Sequence, residues 1–241
     1  MPADSIPWLT TDQMVEVDRA MISDFSITLV QMMENAGRTL AQLARARFLQ
    51  GSIRGARVAV LAGPGGNGGG ALVCARRLRN WGAHVEAFLS KPAAEFATVP
   101  RHQATITERM RIPTTDGPPL ASGSFDLIVD GVIGYSLRGD PKGGAKTLIA
   151  WASEHDAPVL SLDVPSGIDT TTGVAAATAI TATATMTLAL PKVGLRAPAI
   201  HTHVGELYLA DISVPPELYA GPGLGLDVPH IFAESDIVRL T

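Results

Sequence analysis

Arg57-Val-Ala-Val-Leu-Ala62 runs directly into Gly63-Pro64-Gly65-Gly66-Asn67-Gly68-Gly69-Gly70, and Ala71-Leu72-Val73 then opens a helical pattern. A short apolar run, a glycine-rich turn and a helix start make a strand–turn–helix unit. Glycine lets the backbone come close to a ligand and take positive φ. The free amides and dipole at the helix start then favour a phosphate or another anionic group. A tight turn alone needs one or two glycines, whereas six of these eight positions are Gly. Gly63, Gly65 and Gly68 formally satisfy the dinucleotide fingerprint G-x-G-x-x-G. That fingerprint also needs an acid at the end of the following strand, where this chain has Leu89, Ser90 and Lys91. An ordinary Rossmann dehydrogenase is therefore disfavoured.

Outward from this unit, short apolar runs recur at Arg57 to Ala62, His84 to Ser90, Phe125 to Asp130, Pro158 to Asp163, Thr185 to Leu190 and Gly205 to Asp211. Helical patterns lie between several of them, notably Gly69 to Trp81 and Gly144 to Glu154. This βαβ alternation predicts an α/β fold: a three-layer, doubly wound, mainly parallel sheet with helices on both faces. Thr10 with Gln13 and Thr28 with Gln31 match the capping box, predicting two helices ahead of the first strand. Leu29, Met32, Met33, Ala36, Leu40 and Leu43 then form one apolar face. The tail from Ala220 to Thr241, with Gly221, Pro222, Gly223, Gly225 and Pro229, is expected to wrap the surface without a regular element. The 241 residues, 46 % hydrophobic and 17 % charged, suit a single domain with its core over about residues 10–215.

Net charge is −4 and no basic run exceeds Arg76-Arg77, which argues against a nucleic-acid partner. No basic leader with an apolar core opens the chain. The apolar stretch Val174 to Leu190 is mostly Ala and Thr, so a buried strand is favoured over a membrane span. The lone Cys74 excludes an internal disulfide and fits a reducing, cytoplasmic setting. There is no Gly-Lys-Ser/Thr in the glycine loop, no G-x-S-x-G elbow and no Cys/His pairing, so P-loop hydrolysis and covalent catalysis are not indicated. His201 and His203 lack a third ligand and read as surface histidines in a loop.

Two predicted strands end in carboxylates, Asp130 before Gly131-Val-Ile-Gly134 and Asp163 before Val-Pro-Ser166-Gly167. At the carboxyl edge of a parallel sheet an Asp can take a hydroxyl proton, ligate a cation or cap the next turn. Asn67, Asp130 and Ser166 offer oxygen donors only, which suits a hard cation rather than zinc or copper.

With these residues in place, the chain resembles the YjeF N-terminal domain family, the NAD(P)H-hydrate epimerases. The likeness runs from about Met14 to Asp211 through Met33-Glu34-Asn35-Ala36-Gly37, Gly63 to Gly70, Asp130 to Gly134, Asp163 to Gly167 and Lys192-Val-Gly194-Leu195. It implies a doubly wound α/β sandwich and a substrate, NADHX or NADPHX, hydrated at C6 of the nicotinamide ring. It implies one potassium ion per subunit on Asn67, Asp130 and Ser166. Substrate contacts are implied at Gly66, Asn67, Gly68, Gly69, Gly70, Gly134, Tyr135, Ser136, Leu137, Arg138, Gly139, Asp140 and Asp163. It further implies a homodimer and functional coupling to a separate NAD(P)HX dehydratase. Asp163 is the expected catalytic proton carrier. The family loop reads Gly-Pro-Gly-Asn-Asn-Gly-Gly-Asp-Gly, so Gly66 stands for an Asn, Gly70 for the Asp and Ala71 for the last Gly. That departure keeps an alternative open: a member without full activity that serves as a nucleotide-binding or assembly module.

Overall fold

The computed structural model describes residues 1–50, 52–119 and 123–241. Two helices lead the chain, α1 (Thr11–Ser23) and α2 (Leu29–Leu43), followed by β1 (Arg57–Ala62), α3 (Gly66–Asn80), β2 (His84–Leu89), α4 (Thr98–Arg109) and β3 (Thr114–Asp116). The second half holds β4 (Leu127–Gly131), α5 (Gly143–Ser153), β5 (Val159–Leu162), β6 (Ala184–Leu188), the one-turn α6 (His201–Val204), β7 (Glu206–Ala210), α7 (Pro216–Ala220) and β8 (Ile237–Arg239). Both capping boxes are formed: Thr10 and Thr28 accept from the Gln13 and Gln31 amides, and each Gln side chain accepts from the cap amide in return.

The strands form one sheet in the order β3-β2-β1-β4-β5-β6-β7-β8, parallel except for the β7–β8 pair. Alternation along β1 decides the layers. Val58, Val60 and Ala62 pack with Leu40, Leu72 and Leu78 of α2 and α3 on one face. Ala59 and Leu61 pack with Leu148, Ile149 and Ala152 of α5 on the other. Burial on both faces is what parallel strands need, and it explains their near-continuous apolar sequences.

Four expectations are corrected. The tail carries β8, which completes its pairing only against β7 and next to the amino terminus, where Met1 donates to the Arg239 carbonyl. The edge strand β3, three exposed residues with no apolar run, escaped the sequence pattern. The helix after the glycine loop begins at Gly66, three residues early, because the helical turn absorbs the glycines. His201 and His203 lie in α6 rather than a loop, and His203 Nδ1 sits 2.9 Å from the Ile180 carbonyl.

Strand order reverses between β1 and β4, the switch point at which open α/β sheets bind ligands. The glycine loop leaves β1 and Asp130 ends β4, so the fold itself places both at that crevice.

Candidate active site at the strand ends

Part of the glycine loop is a packing device. A Cβ on Gly63 would lie 1.8 Å from the Val132 carbonyl oxygen, so the turn out of β1 closes against β4 only with glycine. Where α2 crosses α3, a Cβ on Gly37 would lie 2.4 Å from Val73 Cβ and 2.5 Å from the Gly70 carbonyl. Gly68, Gly69 and Gly70 are buried in α3, Gly68 against the Gly63 backbone and Gly69 against Met33 of α2. A side chain at position 70 would meet Leu162 Cδ2 at 2.8 Å and so point at the end of β5. The amides of Gly66, Asn67 and Gly68, in the first turn of α3, have no intrahelical acceptor, and no side chain caps this helix start.

A pocket opens beside this turn. Its floor is Leu162, Asp163 and Leu188 from β5 and β6, its roof is Leu29, Met32, Met33 and Ala36 from α2, and Gly66 and Asn67 close one side. Met14 and Asp18 of α1 and Tyr135 of the β4–α5 loop close the other. Tyr135 also borders a second cleft, lined by Ser136, Leu137, Arg138 and Gly139 opposite Thr10 to Asp12 and Asp169 to Thr171. Of the substrate contacts that the family resemblance implied, Gly66, Asn67, Tyr135 and Asp163 line the first hollow, and Ser136, Leu137, Arg138 and Gly139 join Tyr135 in the second, whereas Gly68, Gly69 and Gly70 line neither. Gly134 lies against the Asn67 side chain, and Asp140 is exposed beyond both.

Asp163 is 2 % exposed and takes φ +67°, the left-handed region that costs a non-glycine residue about 1–3 kcal/mol. Ala189 and Ser213, just past the ends of β6 and β7, share it at +62° and +71°. Two other non-glycine residues take positive φ, Ser26 after α1 and Arg111 after α4, so only part of this strain lies at the ligand edge. Lys192, fully buried, donates from Nζ to Asp163 Oδ1 and to the Leu188 carbonyl at 2.9 Å. The Leu188 amide also donates to Asp163 at 3.3 Å. Sequence reasoning placed Lys192 in a motif without giving it a role, although a Lys between apolar residues at a strand end was a signal that it pairs with a buried acid.

Asp130 is fully buried next to Ser161 in the sheet register. Its oxygens accept from Ser166 Oγ at 2.6 Å, Ser161 Oγ at 2.8 Å, the Ser166 amide at 2.9 Å and the Val132 amide at 3.2 Å. Among the described residues no cationic side chain pairs with it. Burial pushes its pKa up, and the Ser166, Val132 and Ser161 hydrogen bonds only oppose that shift. Asn67 donates its side-chain amide to the Leu162 carbonyl at 2.7 Å, which turns its oxygen toward Gly134. Asp130 at the end of β4 and Ser166 beyond β5 are thus in direct contact, while the Asn67 side chain lies at the start of α3 against Leu162 and Gly134; all three carry oxygen donors. Among the described residues no cluster of three or more His, Cys, Asp or Glu could hold a metal. Cys74 is buried and burial pushes its thiol up, which keeps it unreactive.

Asp18 was not anticipated. It stands on the apolar face of α1 between Met14, Val17 and Met21, and Tyr135 donates its hydroxyl to Asp18 Oδ2 at 2.5 Å. A carboxylate interrupting an apolar helical stripe was the signal available.

Fold and site together define a doubly wound α/β protein whose small-molecule pocket lies at the carboxyl ends of its strands. The chain belongs to the YjeF-related protein N-terminus family, whose profile matches residues 29–194. It is 39 % identical over 233 residues to an NAD(P)H-hydrate epimerase of Dehalogenimonas lykanthroporepellens, covering 97 % of this chain and 92 % of that protein. It is 31 % identical to an NAD(P)H-hydrate epimerase of Entamoeba histolytica, over 88 % and 90 % of the two chains. A bifunctional NAD(P)H-hydrate repair enzyme of Salinibacter ruber is 32 % identical, and there this chain spans 41 % of the longer protein. The solved structure of yeast ynu0 superposes with a TM-score of 0.80 at 24 % identity, over 98 % of this chain and all of that one, and so shares its fold. No helix of the described residues is long and apolar enough to cross a membrane.

Proposed function

We propose that this chain is an NAD(P)H-hydrate epimerase, interconverting the R and S epimers of NADHX or NADPHX at C6 of the nicotinamide ring. The observation that carries this is Asp163, buried on Lys192 at the floor of a pocket roofed by apolar side chains, in a chain so similar along its length to epimerases. C6 bears both the hydroxyl and the bond to the ring nitrogen. Inverting it requires reversible loss of the hydroxyl or reversible ring opening, and both routes move a proton at that oxygen. Asp163 is the carboxylate placed to move it, and Lys192 and the Leu188 amide hold its oxygen in position. Met32, Met33 and Leu29 cover the ring and exclude bulk water, while the first-turn amides of α3 and the Tyr135 to Gly139 edge suit the anionic remainder of the nucleotide.

Potassium fits at Asn67, Asp130 and Ser166, because Asp130 is a buried carboxylate whose hydrogen bonds leave its charge uncompensated. A bound monovalent ion would supply that compensation and fix the strand ends, with little polarising power of its own. Coupling to a dehydratase is supported by the bifunctional relatives. The alternative of a binding-only member rests on Gly70, where a side chain would point at Leu162 on the pocket floor; the buried Asp163–Lys192 pair at the same floor favours the enzyme.

The test is incubation of purified R-NADHX with the protein in potassium buffer, followed by chromatography that resolves the epimers. Conversion well above the spontaneous rate, reduced about a hundred- to ten-thousandfold by Asp163→Asn, is expected. Conversion no faster than the spontaneous rate would sink the enzyme reading.

A further inference from the structure

Inverting a carbon by losing and regaining a hydroxyl calls for proton transfer at two positions, one where the oxygen leaves and one where water returns on the opposite face. A single carboxylate at the sheet edge serves one of them. The pocket holds a second, brought from a different element: Asp18 on α1, across from the strand end that carries Asp163. Its placement is enforced from both sides. Leu9 exchanges backbone hydrogen bonds with the segment around Lys192, at 2.8 Å to the Pro191 carbonyl and 2.9 Å from the Val193 amide. Thr11 Oγ1 lies 2.9 Å from Thr170 Oγ1. The start of α1 is thus tied to the loops beyond β5 and β6, and Tyr135 fixes the Asp18 carboxyl itself.

We propose that Asp18 is a second catalytic residue of this pocket, acting as proton donor to the C6 hydroxyl while Asp163 acts as acceptor on the other face. The two environments divide the roles. Asp163 has the Lys192 ammonium donating to its Oδ1. Asp18 faces Tyr135, Asp163 and Lys192. Burial raises its pKa, the Tyr135 hydrogen bond opposes that shift, and Asp163 adds to it. In the forward step the Asp18 carboxyl gives its proton to the C6 hydroxyl, the C6–O bond breaks and water leaves as the ring-nitrogen lone pair forms C6=N⁺. Water then adds to the opposite face, the C6–O bond re-forms as the C=N pair returns to nitrogen, and Asp163 takes the released proton. The reverse epimerisation runs the same steps with the roles exchanged, and solvent exchange of the two protons resets the site.

This inference rests on the epimerase reading, and wild-type turnover measured in the same assay separates the two. Asp18→Asn keeps size and still accepts from Tyr135, so it tests the proton rather than the fold. The expected result is a fall in kcat of about a hundredfold or more with KM within about threefold. The decline of the wild-type kcat at high pH, where Asp18 loses its proton, should vanish from the variant's profile, and Asp18→Glu should recover part of the rate. Asp24→Asn, exposed at the end of the same helix, should leave turnover unchanged. Wild-type turnover together with an Asp18→Asn kcat within threefold of it, or a lowered kcat with the wild-type pH profile intact, overturns the proposal. Absence of wild-type turnover overturns the epimerase reading beneath it.

Discussion

Asp130 and Asp163 end neighbouring parallel strands, both are buried, and both lie beside the same switch point, yet the protein handles their charges in opposite ways. Asp163 has an internal counter-charge, Lys192, itself without contact with water. Asp130 has only hydroxyl and amide donors, two of them from Ser166. A buried charge paired from within is committed to one geometry, and here it faces a pocket. A buried charge left with dipoles alone favours either a proton or an external cation. On the proposed function, the difference separates a group that would do chemistry from one that would organise the strand ends.

The largest effect should come from breaking the internal pair. Lys192→Met would leave Asp163 buried and unpaired, and urea unfolding should show a loss of about 3–5 kcal/mol. Adding Asp163→Asn should restore much of that stability without restoring turnover, since the two residues act as a unit.

Next comes the cation. Replacing tetramethylammonium by potassium should raise the wild-type melting temperature, by about 2.7 kcal/mol equivalent at a hundredfold excess over the dissociation constant. Asp130→Asn should lose that response and Asp163→Asn should keep it. The same contrast has a pH signature. The folded pKa of Asp130 is raised above the ordinary 3.8, so between that value and the folded one the native state holds the extra proton. In tetramethylammonium the contribution of Asp130 to stability should therefore be complete below the ordinary carboxylate pKa and be lost as pH rises through the folded one, a window to which Asp18 adds in the same direction, and comparison with Asp130→Asn isolates it. Potassium should flatten the fall. A potassium effect that survives Asp130→Asn would move the ion elsewhere.

The smallest effect compares the hydroxyls that attend the two carboxylates. Ser161 donates to Asp130 at 2.8 Å, whereas Thr187 stands 3.4 Å from Asp163. Ser161→Ala should cost about 1.5–3 kcal/mol without potassium and Thr187→Val less than about 1, read from denaturant midpoints. Equal costs would mean that the two carboxylates are solvated alike.

Much of the frame was legible because its causes are local. Thr10 and Thr28 cap helices through residues three positions away, and the alternation in β1 faces two packed layers without reference to distant chain. The candidate site was partly legible for a similar reason: a strand-end aspartate lies at the ligand edge of any parallel sheet. Where sequence reasoning fell short, the cause was a partner far along the chain. β8 exists through β7, and Asp18 gains its meaning from Tyr135, 117 residues on. Gly68 to Gly70 read as a ligand loop, and only the tertiary structure shows that their missing side chains make room for the turn at Gly63, for Met33 of α2 and for Leu162 of β5.

The sequence by itself determined the strand and helix periodicity, the caps, and which residue types could do chemistry, because each depends on neighbours within a turn or a pleat. The tertiary structure decided which carboxylate has a cation, which faces a pocket and which glycines serve packing. Charge and close approach are set by whatever long-range folding brings within a few ångströms, and no local pattern records that.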